Sequence, residues 1–415
     1  MIEETVKRKV NFNKLTLCRN YIRRKNFLPF HRPAMGKEEE KELICTLRSG
    51  WLTKGPKTEK FEDKIKKYVG SKYAVGTNSC TAALELSLMA IGIRQGDEVI
   101  TTPMTFPATA NVIVHQGAKP VFVDIKKDTF NIDPDRLEQA ITSKTKAIIP
   151  VHFAGHPCEM NKILKIARKY KLFVIEDAAH ALGSSYYGRK IGTVGDLTCF
   201  SFYASKNITT GEGGMVTSNN KRFTEKIKLL SLHGISSDAW ERTGNRTYRH
   251  WETIVPGYKY NMYDIQAALG LVQLRKIETF YKIRHKYVQI YNKAFKSFPE
   301  IITPVTKKGI IHSYHLYTVM INIENLTVSR DTIMNILQQE NIGIGIHYRA
   351  LHLHHFYQKT YGFRRGSLPA AEYLSERVIS LPLYPRMTEA DVKDVIAAVK
   401  NVLMKYRKRV IRCRK

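Results

Sequence analysis

The feature that most constrains the fold is a series of short apolar segments that alternate with helical stretches between about residues 72 and 218. The segments typical of buried strands are KYAVGTN (72–78), EVITTP (98–103), PVFVDI (120–125), KAIIPVHF (146–153), KLFVIED (171–177), 197–203 and 214–218. The helices predicted among them are TAALELSLMAIGI (81–93), 106–115, 134–142 and 159–170. Buried strands that alternate with helices predict a three-layer α/β/α domain with a mostly parallel sheet.

The flanking segments predict a second, smaller domain. Two helices, at about 38–48 and 56–68, precede the first strand, and a long helix that begins near Asp264 suggests a spine between two domains. After Pro299 the pattern changes to short strands, with 315–323 among them, and to helices at 329–339 and 388–403. We therefore expect a large domain over 28–275 and a small C-terminal α/β domain over 276–403, between basic tails at 1–27 and 404–415.

The charge is concentrated at the two ends of the chain. The sequence has 67 Lys and Arg against 37 Asp and Glu, a net charge of +30, and residues 1–27 and 400–415 carry much of the excess. A basic tail can bind nucleic acid or an anionic membrane face, although a solvated extension is the simpler interpretation. The interior lacks the interleaved basic and aromatic residues of a nucleic-acid groove. A basic nucleic-acid-binding or anion-binding protein is therefore the alternative of a different class, and we do not expect nucleic acid as a partner.

Targeting signals and cysteines point to a cytoplasmic protein. No run reaches the roughly 18 apolar residues that a membrane-spanning helix needs, and the N-terminus opens with Glu3 and Glu4 rather than with a secretory signal. The six cysteines are scattered and form no CxxC pair. This usage predicts reduced thiols and no metal site.

The segment GTNSCTAAL (76–84) is the first of three that carry chemistry. It places small and hydroxyl residues between a strand and the N-terminus of a helix. Such a turn offers backbone N–H groups and the positive end of the helix dipole to a phosphate. Ser and Thr are also common at such junctions as helix caps, so the segment alone does not decide between the two.

The second and third segments contain a carboxylate and a lysine. VIEDAAHALG (174–183) puts Asp177 at the carboxyl end of a strand, where ligands bind in open α/β sheets. Asp177 can instead cap the following helix, and a lone His180 is usually a packed histidine. CFSFYASKNITTGEGGMV (199–216) carries Ser201, Ser205 and Lys206 into a glycine-rich turn. Desolvation there would lower the pKa of the lysine and make it a nucleophile toward aldehydes, but Lys206 can instead be an ordinary exposed loop lysine.

Taken together, the three segments predict a pyridoxal 5'-phosphate site. A phosphate cradle, a carboxylate for the pyridine nitrogen and a lysine for a Schiff base are the groups that this cofactor needs. The protonated ring is then an electron sink, which lowers the barrier to removing the α-proton of an amino acid.

Several longer motifs give the chain a resemblance to a known family. They are SGWLTKGPK (49–57), GDEVITTPMTF (96–106), IIPVHFAG (148–155), VIEDAAHALG, FSFYASKNITTGEGG (200–214), PGYKYNMYDIQAALGLVQL (256–274), IGIHYRALHLHHFY (344–357) and SLPLYPRMTEADV (380–392). In order and spacing they resemble the DegT/StrS-type sugar aminotransferases of the fold-type I pyridoxal phosphate superfamily over about residues 28–400. The resemblance implies a large cofactor-binding α/β/α domain, a smaller C-terminal α/β domain and transaminase activity.

The resemblance also implies roles for three catalytic residues. Lys206 is the expected Schiff-base lysine, which also moves the proton once it is released from the cofactor. Asp177 is the expected partner of the pyridine nitrogen, and His180 stands where the family has His or Gln near the ring hydroxyl. The related sugar dehydratases have histidine in place of the lysine, so Lys206 favours transamination over dehydration.

Further positions follow from the same resemblance. Cys80, Thr81 and Ser201 are the expected phosphate cradle, with Ser-Cys-Thr where the family more often has Ser-Gly-Thr or Ser-Ala-Thr. Phe106 stands where an aromatic ring stacks on the cofactor. Asn261 resembles a residue that reaches the phosphate of the neighbouring subunit, which implies a homodimer with shared active sites.

For the substrate, the resemblance implies a nucleotide-linked keto-sugar and glutamate/2-oxoglutarate. LPFHRPAMG (28–36), ISSDAW (235–240) and HYRALH (347–352) are similar to enzymes that aminate a UDP-4-keto-pentose to UDP-4-amino-4-deoxy-L-arabinose, for cell-surface polysaccharide or lipid A modification. Phe106 replaces a tryptophan that is usual there, and HLHHFY (352–357) is closer to 4-keto-6-deoxyhexose enzymes. Amination at carbon 3 of a dTDP- or GDP-sugar is a further alternative. His347 and Arg349 are the candidates for the sugar or diphosphate region, unless they are a surface pair.

Overall fold

The structure is a computed structural model that describes residues 21–236 and 251–408. Its helices are α1 (Lys37–Arg48), α2 (Pro56–Val69), α3 (Cys80–Ile91), α4 (Pro107–His115), α5 (Met160–Tyr170), α6 (Lys221–Ser231), α7 (Asp264–Phe295), α8 (Arg330–Gln339), α9 (His355–Tyr361), α10 (Pro369–Ser375) and α11 (Glu389–Lys405). Its strands are β1 (Tyr73–Thr77), β2 (Glu98–Thr101), β3 (Lys119–Phe122), β4 (Thr145–Ile148), β5 (Phe173–Asp177), β6 (Ser185–Tyr186), β7 (Arg189–Lys190), β8 (Leu197–Ser201), β9 (Gly214–Ser218), β10 (Ile301–Ile302), β11 (Ile310–Ile311), β12 (Tyr317–Ile321) and β13 (Val378–Leu381).

A seven-stranded sheet in the order β1-β9-β8-β5-β4-β2-β3 forms the centre of the large unit. The strand β9 is antiparallel to both of its neighbours, and the other pairs in this sheet are parallel. The carboxyl ends of β1, β2, β4, β5 and β8 therefore meet at one edge. The mostly parallel sheet predicted from the sequence is confirmed.

Side chains alternate between two hydrophobic cores along each central strand, which explains why these strands are apolar throughout. One core lies under α2, α5 and α7, and the other lies under α3, α4 and α6. The first core takes Ile100, Ile148, Val174, Phe200 and Met215 from the sheet. The second core takes their neighbours Val99, Ala147, Ile175, Cys199 and Val216. The predicted three-layer arrangement is thus confirmed.

The small unit is built on the antiparallel sheet β10-β12-β13, with α8 and α11 packed against it. The long helix α7 contributes to both units. Its side chains up to Tyr281 belong to the core of the large unit, and those from Tyr287 onward belong to the core of the small unit. Leu28 also lies in the core of the small unit, where it pairs with Ile342.

One predicted helix is wrong. Residues 134–142 form two short 3₁₀ turns, Pro134–Arg136 and Glu138–Ala140, rather than one α-helix. The backbone N–H groups of this segment bond to carbonyls three residues back, as Leu137 does to Pro134 and Ala140 to Leu137. Short 3₁₀ pieces of this kind are typical of connections between larger elements.

The inner parts of both basic tails are packed on the small unit, contrary to the expectation of solvated extensions. Arg24 contacts Asp391 at 2.7 Å and Asp394 at 2.6 Å, and the Tyr21 hydroxyl donates to Glu340 at 3.0 Å. At the other end, Arg407 donates to Glu300 at 2.9 Å. Residues 1–20 and 409–415, and residues 237–240 of the ISSDAW segment, lie outside the described residues.

Across residues 21–236 and 251–408, none of the helices combines the length and the apolar character required to cross a membrane.

Candidate active site

A cavity of about 610 Å³ opens at the edge where the carboxyl ends of the parallel strands meet. Nine of the ten site residues predicted from the sequence line it. They are Cys80, Thr81, Phe106, Asp177, His180, Ser201, Lys206, His347 and Arg349. Residues far apart in the chain thus meet in one place, at the location expected for ligands in open α/β sheets.

Lys206 is carried by the loop between the antiparallel strands β8 and β9. Its backbone N–H donates to the carbonyl of Tyr203 at 2.9 Å. The two ends of the loop are joined by a hydrogen bond from the Phe202 N–H to the Gly213 carbonyl, also at 2.9 Å. Burial lowers the pKa of the Lys206 ammonium to about 8, although Cys80 and Asp177 act in the opposite direction. A lysine in this state has a far larger fraction of nucleophilic amine at neutral pH than an exposed lysine.

Asp177 ends β5 with its side chain 5% exposed. Its Oδ2 accepts a hydrogen bond from the Thr109 hydroxyl at 2.7 Å, and its Oδ1 accepts one from the Ala179 N–H at 3.1 Å. The carboxylate is therefore buried but held by two donors, which is the condition for a charged group to remain in a protein interior. An acid in this setting can pair with a cationic ring nitrogen.

The predicted phosphate cradle lies at the N-terminus of α3. Ser79 is the N-cap, and its hydroxyl oxygen accepts from the Ala82 N–H at 3.1 Å. The N–H groups of Cys80 and Thr81 make no hydrogen bond within the described part of the chain. Gly214 presses against this turn so closely that a Cβ there would lie 2.4 Å from the Ser79 carbonyl oxygen. The turn thus offers free donors and the positive end of a helix to an anion.

Ser201 and Phe106 occupy the walls near the cradle. Ser201, at the end of β8, is 8% exposed, and its hydroxyl oxygen lies 3.4 Å from the Tyr203 N–H. Phe106 precedes α4 and is 62% exposed, so its ring faces open space on the cavity side. A flat apolar ring with a free face suits a stacked aromatic ligand.

The small unit supplies His347 and Arg349. His347 Nδ1 lies 2.8 Å from the Ser380 hydroxyl, and its ring stacks on Phe30 at 5.6 Å. Burial and then Lys206 lower the pKa of His347 to about 3, so its imidazole is neutral. Arg349 is exposed and donates to the carbonyl of Leu353 at 3.3 Å.

Sequence reasoning missed several residues that line the cavity, among them Thr109, Tyr348, His315 and His354. Tyr348 lies between His347 and Arg349, the two residues that were predicted from the segment 344–357. Nothing in the sequence marked Thr109 as a site residue, because a threonine in the first turn of a helix is usually a capping or packing residue.

Asn261 does not line the cavity. Its side chain is 2% exposed, and its Nδ2 donates to the Met262 carbonyl at 3.2 Å. Its Oδ1 is buried without a partner among the described residues, and its backbone pairs with Thr77 at the end of β1. A contact with a neighbouring subunit, which stays a prediction, would need this side chain to turn outward.

These residues fit pyridoxal 5'-phosphate. Lys206 offers an amine for the aldehyde, Asp177 a buried carboxylate for the ring nitrogen, and the N–H groups of Cys80 and Thr81 a seat for the phosphate. Two observations support this fit. The N–H groups of Cys80 and Thr81, in the turn beside Gly214, are free to bind a phosphate, and burial lowers the pKa of Lys206.

Comparison with known proteins gives the family of this chain. The sequence matches the DegT/DnrJ/EryC1/StrS aminotransferase family over residues 33–400. It is 57% identical over 384 residues to the uncharacterised protein MJ1066 of Methanocaldococcus jannaschii, covering 92% of this chain and 100% of that protein. It is 48% identical over 382 residues to the spore coat polysaccharide biosynthesis protein SpsC of Bacillus subtilis, covering 92% and 98%.

The fold is also similar to that of Spr1654 from Streptococcus pneumoniae, a protein named as a sugar aminotransferase and solved in PLP and PMP forms. The PMP form has a TM-score of 0.86 and 37% identity, and the match covers 91% of this chain and 99% of that one. The PLP form has a TM-score of 0.85 and 36% identity over the same shares. Since the family match spans most of the sequence and the cavity fits the cofactor, the chain belongs to the DegT/DnrJ/EryC1/StrS aminotransferase family, and its cofactor is pyridoxal 5'-phosphate.

Proposed function

We propose that this aminotransferase moves an amino group from glutamate to the keto group of a nucleotide-linked sugar. The acceptor is a UDP-4-keto-pentose or a 4-keto-6-deoxyhexose, and the product enters cell-surface polysaccharide or lipid A modification. The observation that carries the proposal is that Lys206, Asp177 and Arg349 line one cavity. The first two suit the cofactor and the third suits an anionic substrate. The spore coat polysaccharide role of SpsC supports a sugar as the amino acceptor.

The residues divide the chemistry between them. When bound, pyridoxal phosphate supplies an electron sink that lowers the barrier to removing the α-proton of an amino acid. Lys206 Nζ would hold the cofactor and, once free, would take the proton from the donor's α-carbon and return it at the carbon that receives nitrogen. Asp177 would keep the ring nitrogen protonated. Cys80, Thr81 and Ser201 would hold the phosphate.

Arg349 gives the substrate an anchor outside the reacting centre. It lines both the active-site cavity and an adjoining cavity of about 670 Å³, to which Arg330 and Arg365 also contribute. Arg365 and Arg330 already pair with Glu376 and Asp331. The guanidinium of Arg349 has one weak carbonyl contact and no carboxylate partner within the described ranges. A guanidinium in this state binds a diphosphate through paired hydrogen bonds.

The working unit in this proposal is a homodimer with shared active sites. Phe106 and Tyr203, two aromatic residues that line the cavity, are 62% and 48% exposed. Exposed apolar surface of this kind is typical of an interaction site, and we expect the neighbouring subunit to cover it. Mixing inactive Lys206→Ala and Asn261→Ala proteins, then dissociating and reassembling them, should restore activity because one hybrid site regains both residues. Asn261→Ala must first be shown to lose most activity. No recovery on mixing would contradict a shared site.

The test of the proposed reaction is a substrate screen with the purified holoenzyme. UDP-, GDP- and dTDP-linked keto-sugars are each offered with glutamate, and the products are identified by mass spectrometry and NMR. We expect a 4-amino sugar on a nucleotide together with 2-oxoglutarate. Amination at carbon 3, or turnover of free keto-sugars as fast as nucleotide-linked ones, would contradict the proposal.

A matched variant tests the role of Arg349. Arg349→Gln should raise the KM for the nucleotide sugar by about tenfold or more, since a charged hydrogen bond is worth about 1.5–3 kcal/mol. The rate of the half-reaction with glutamate should change little. Arg365→Gln, which removes an arginine already paired with Glu376, is the control.

A further inference from the structure

His180 has both ring nitrogens engaged in hydrogen bonds. Its Nδ1 accepts from the backbone N–H of Ala154 at 3.2 Å. Its Nε2 lies 3.2 Å from the hydroxyl oxygen of Tyr348. A ring nitrogen that accepts an N–H carries no hydrogen, so the neutral imidazole holds its hydrogen on Nε2. The Tyr348 oxygen is therefore the acceptor in the second bond.

The surroundings keep this imidazole neutral. Burial in the first place, and then Lys206 and His347, hold the pKa of His180 well below its usual value. The titratable groups that face His180 and Tyr348 are Lys206, Asp177, His315 and His347. Of these, only Asp177 is an anion, and its oxygens already accept from Thr109 and Ala179.

The Tyr348 ring is fixed on several sides. It lies parallel to the His180 ring, with an interplanar angle of 12° and centroids 6.3 Å apart, and it meets Phe153 edge-on at 6.2 Å. Phe106 lies 6.5 Å away on the cavity side. Within residues 21–236 and 251–408 the hydroxyl bonds only to His180. Since a hydroxyl has one hydrogen and two lone pairs, its own hydrogen remains available to the cavity.

We propose that Tyr348 is a further ligand-binding residue of the active site: Ala154 fixes His180 in the Nε2-protonated form, His180 donates that hydrogen to the Tyr348 oxygen, and Tyr348 presents its own O–H to an oxygen bound in the cavity. The hydrogen bonds run from Ala154 to His180 to Tyr348, so the donor toward the ligand is Tyr348 rather than His180. Such a donor suits an anionic oxygen, and the ring oxygen of the cofactor has this chemistry. The role of this hydroxyl does not depend on which sugar and which amino donor the enzyme uses.

The test is the pH titration of the cofactor's absorption in the Tyr348→Phe holoenzyme. The substitution keeps the ring and removes only the hydroxyl. We expect the midpoint to move upward by about one pH unit, a roughly tenfold increase in proton affinity, because an anionic oxygen that loses its donor binds a proton more tightly. Tyr357→Phe is the control, since its hydroxyl donates to Asn111 at 2.6 Å outside this cavity. Its midpoint should match the wild type.

Two results would overturn the proposal. One is a Tyr348→Phe holoenzyme whose cofactor absorption titrates with the same midpoint as the wild type, whether or not His180→Gln shifts that midpoint. The other comes from the ¹⁵N NMR spectrum of histidine-labelled wild-type holoenzyme, with His180 assigned by its loss in His180→Gln. The proposal requires a hydrogen on Nε2, and a hydrogen on Nδ1 contradicts it even if Tyr348→Phe fails to bind the cofactor.

Discussion

Thr109 on α4 donates its hydroxyl hydrogen to Oδ2 of Asp177 at the end of β5, across 2.7 Å. Because that hydroxyl has one hydrogen, the 2.7 Å contact between Thr105 and Thr109 has Thr105 as its donor. Thr109 thus holds the carboxylate in a fixed orientation at the cavity wall, and Thr105, just before α4, orients the Thr109 hydroxyl. This arrangement connects helix α4 directly to the group expected at the cofactor's ring nitrogen.

Asp177→Asn should lower the rate of the half-reaction with glutamate by at least about 100-fold. Removing one member of a buried charged pair costs about 3–5 kcal/mol, and 1.36 kcal/mol corresponds to a tenfold change in rate. The measurement is single-turnover absorption, with circular dichroism to show that the fold is intact. Near wild-type turnover would mean that another group holds the ring nitrogen protonated.

A second prediction isolates Thr109. Thr109→Val should lower the same rate by about tenfold, since a hydrogen bond to a charged group is worth about 1.5–3 kcal/mol. Thr109→Ser keeps the hydroxyl and should restore most of the rate. If valine and serine variants behaved alike, the hydroxyl would have no part in holding Asp177.

Gly214→Ala should weaken cofactor binding without abolishing folding. The added Cβ would lie 2.4 Å from the Ser79 carbonyl oxygen and 2.7 Å from the Cys80 nitrogen, so the cradle must move. Such overpacking costs about 1–3 kcal/mol, and we expect the Kd for pyridoxal phosphate to rise by about tenfold or more. Gly36→Ala is the control, because its nearest neighbour would be 3.9 Å away. An unchanged Kd in Gly214→Ala would argue against a phosphate seat at this turn.

The buried histidines should make the protein sensitive to mild acid. Burial lowers the pKa of His312 and His315 well below the ordinary value of 6.5, with neighbouring histidines acting in the same direction. The unfolded chain therefore binds more protons, so the stability is complete above about pH 6.5 and is lost as the pH falls below it. Each such histidine contributes up to about 1.4 kcal/mol per pH unit.

The measurement is the free energy of unfolding in urea at pH 5 to 6.5, a range mostly above the ordinary pKa values of carboxylic acids. His312→Gln should flatten the dependence by about 1.4 kcal/mol per pH unit. His115→Gln is the control, since that side chain is 55% exposed. Equal slopes in the wild type and in His312→Gln would refute the account of the histidines.

The basic tails should be dispensable only in part. Deleting residues 1–20 and 409–415 should leave turnover within a few-fold. Deleting residues 1–27 should lower the stability by about 1–2 kcal/mol, because it removes the ion pairs of Arg24 with Asp391 and Asp394 and the bond from Tyr21 to Glu340. A turnover assay measures the first effect, and thermal unfolding measures the second. Equal melting temperatures for the two deletions would show that residues 21–27 add nothing.

The sequence predicted the large unit well because its strands are buried on both faces and its helices are separated by clear turn residues. The predicted positions of β5 and β8 place Asp177 and Ser201 correctly at the sheet edge. The prediction of one α-helix over 134–142 failed because the residue spacing there does not distinguish an α-helix from the two 3₁₀ turns that the segment forms. The packing of Arg24 could not be predicted from the sequence, since its partners Asp391 and Asp394 lie more than 360 residues away in the chain.

The site was predictable where a residue type has an unusual neighbourhood, as with Lys206 in its glycine-rich turn. It was not predictable where an ordinary residue acquires its role through tertiary contacts. Thr109 becomes a carboxylate donor only because α4 packs beside β5, and Tyr348 becomes a hydrogen-bond acceptor only because the small unit brings it to His180. No local spacing encodes either contact.

The central claim, that Lys206 is the residue that binds the cofactor, is tested most directly by borohydride reduction followed by peptide mapping. The purified protein should be yellow, with an absorption band at about 410–430 nm from the bound cofactor. Reduction should attach the cofactor to the peptide that contains Lys206, and Lys206→Ala should lose the label and turnover while keeping the fold. Labelling of a different lysine, or full turnover in Lys206→Ala, would contradict the account.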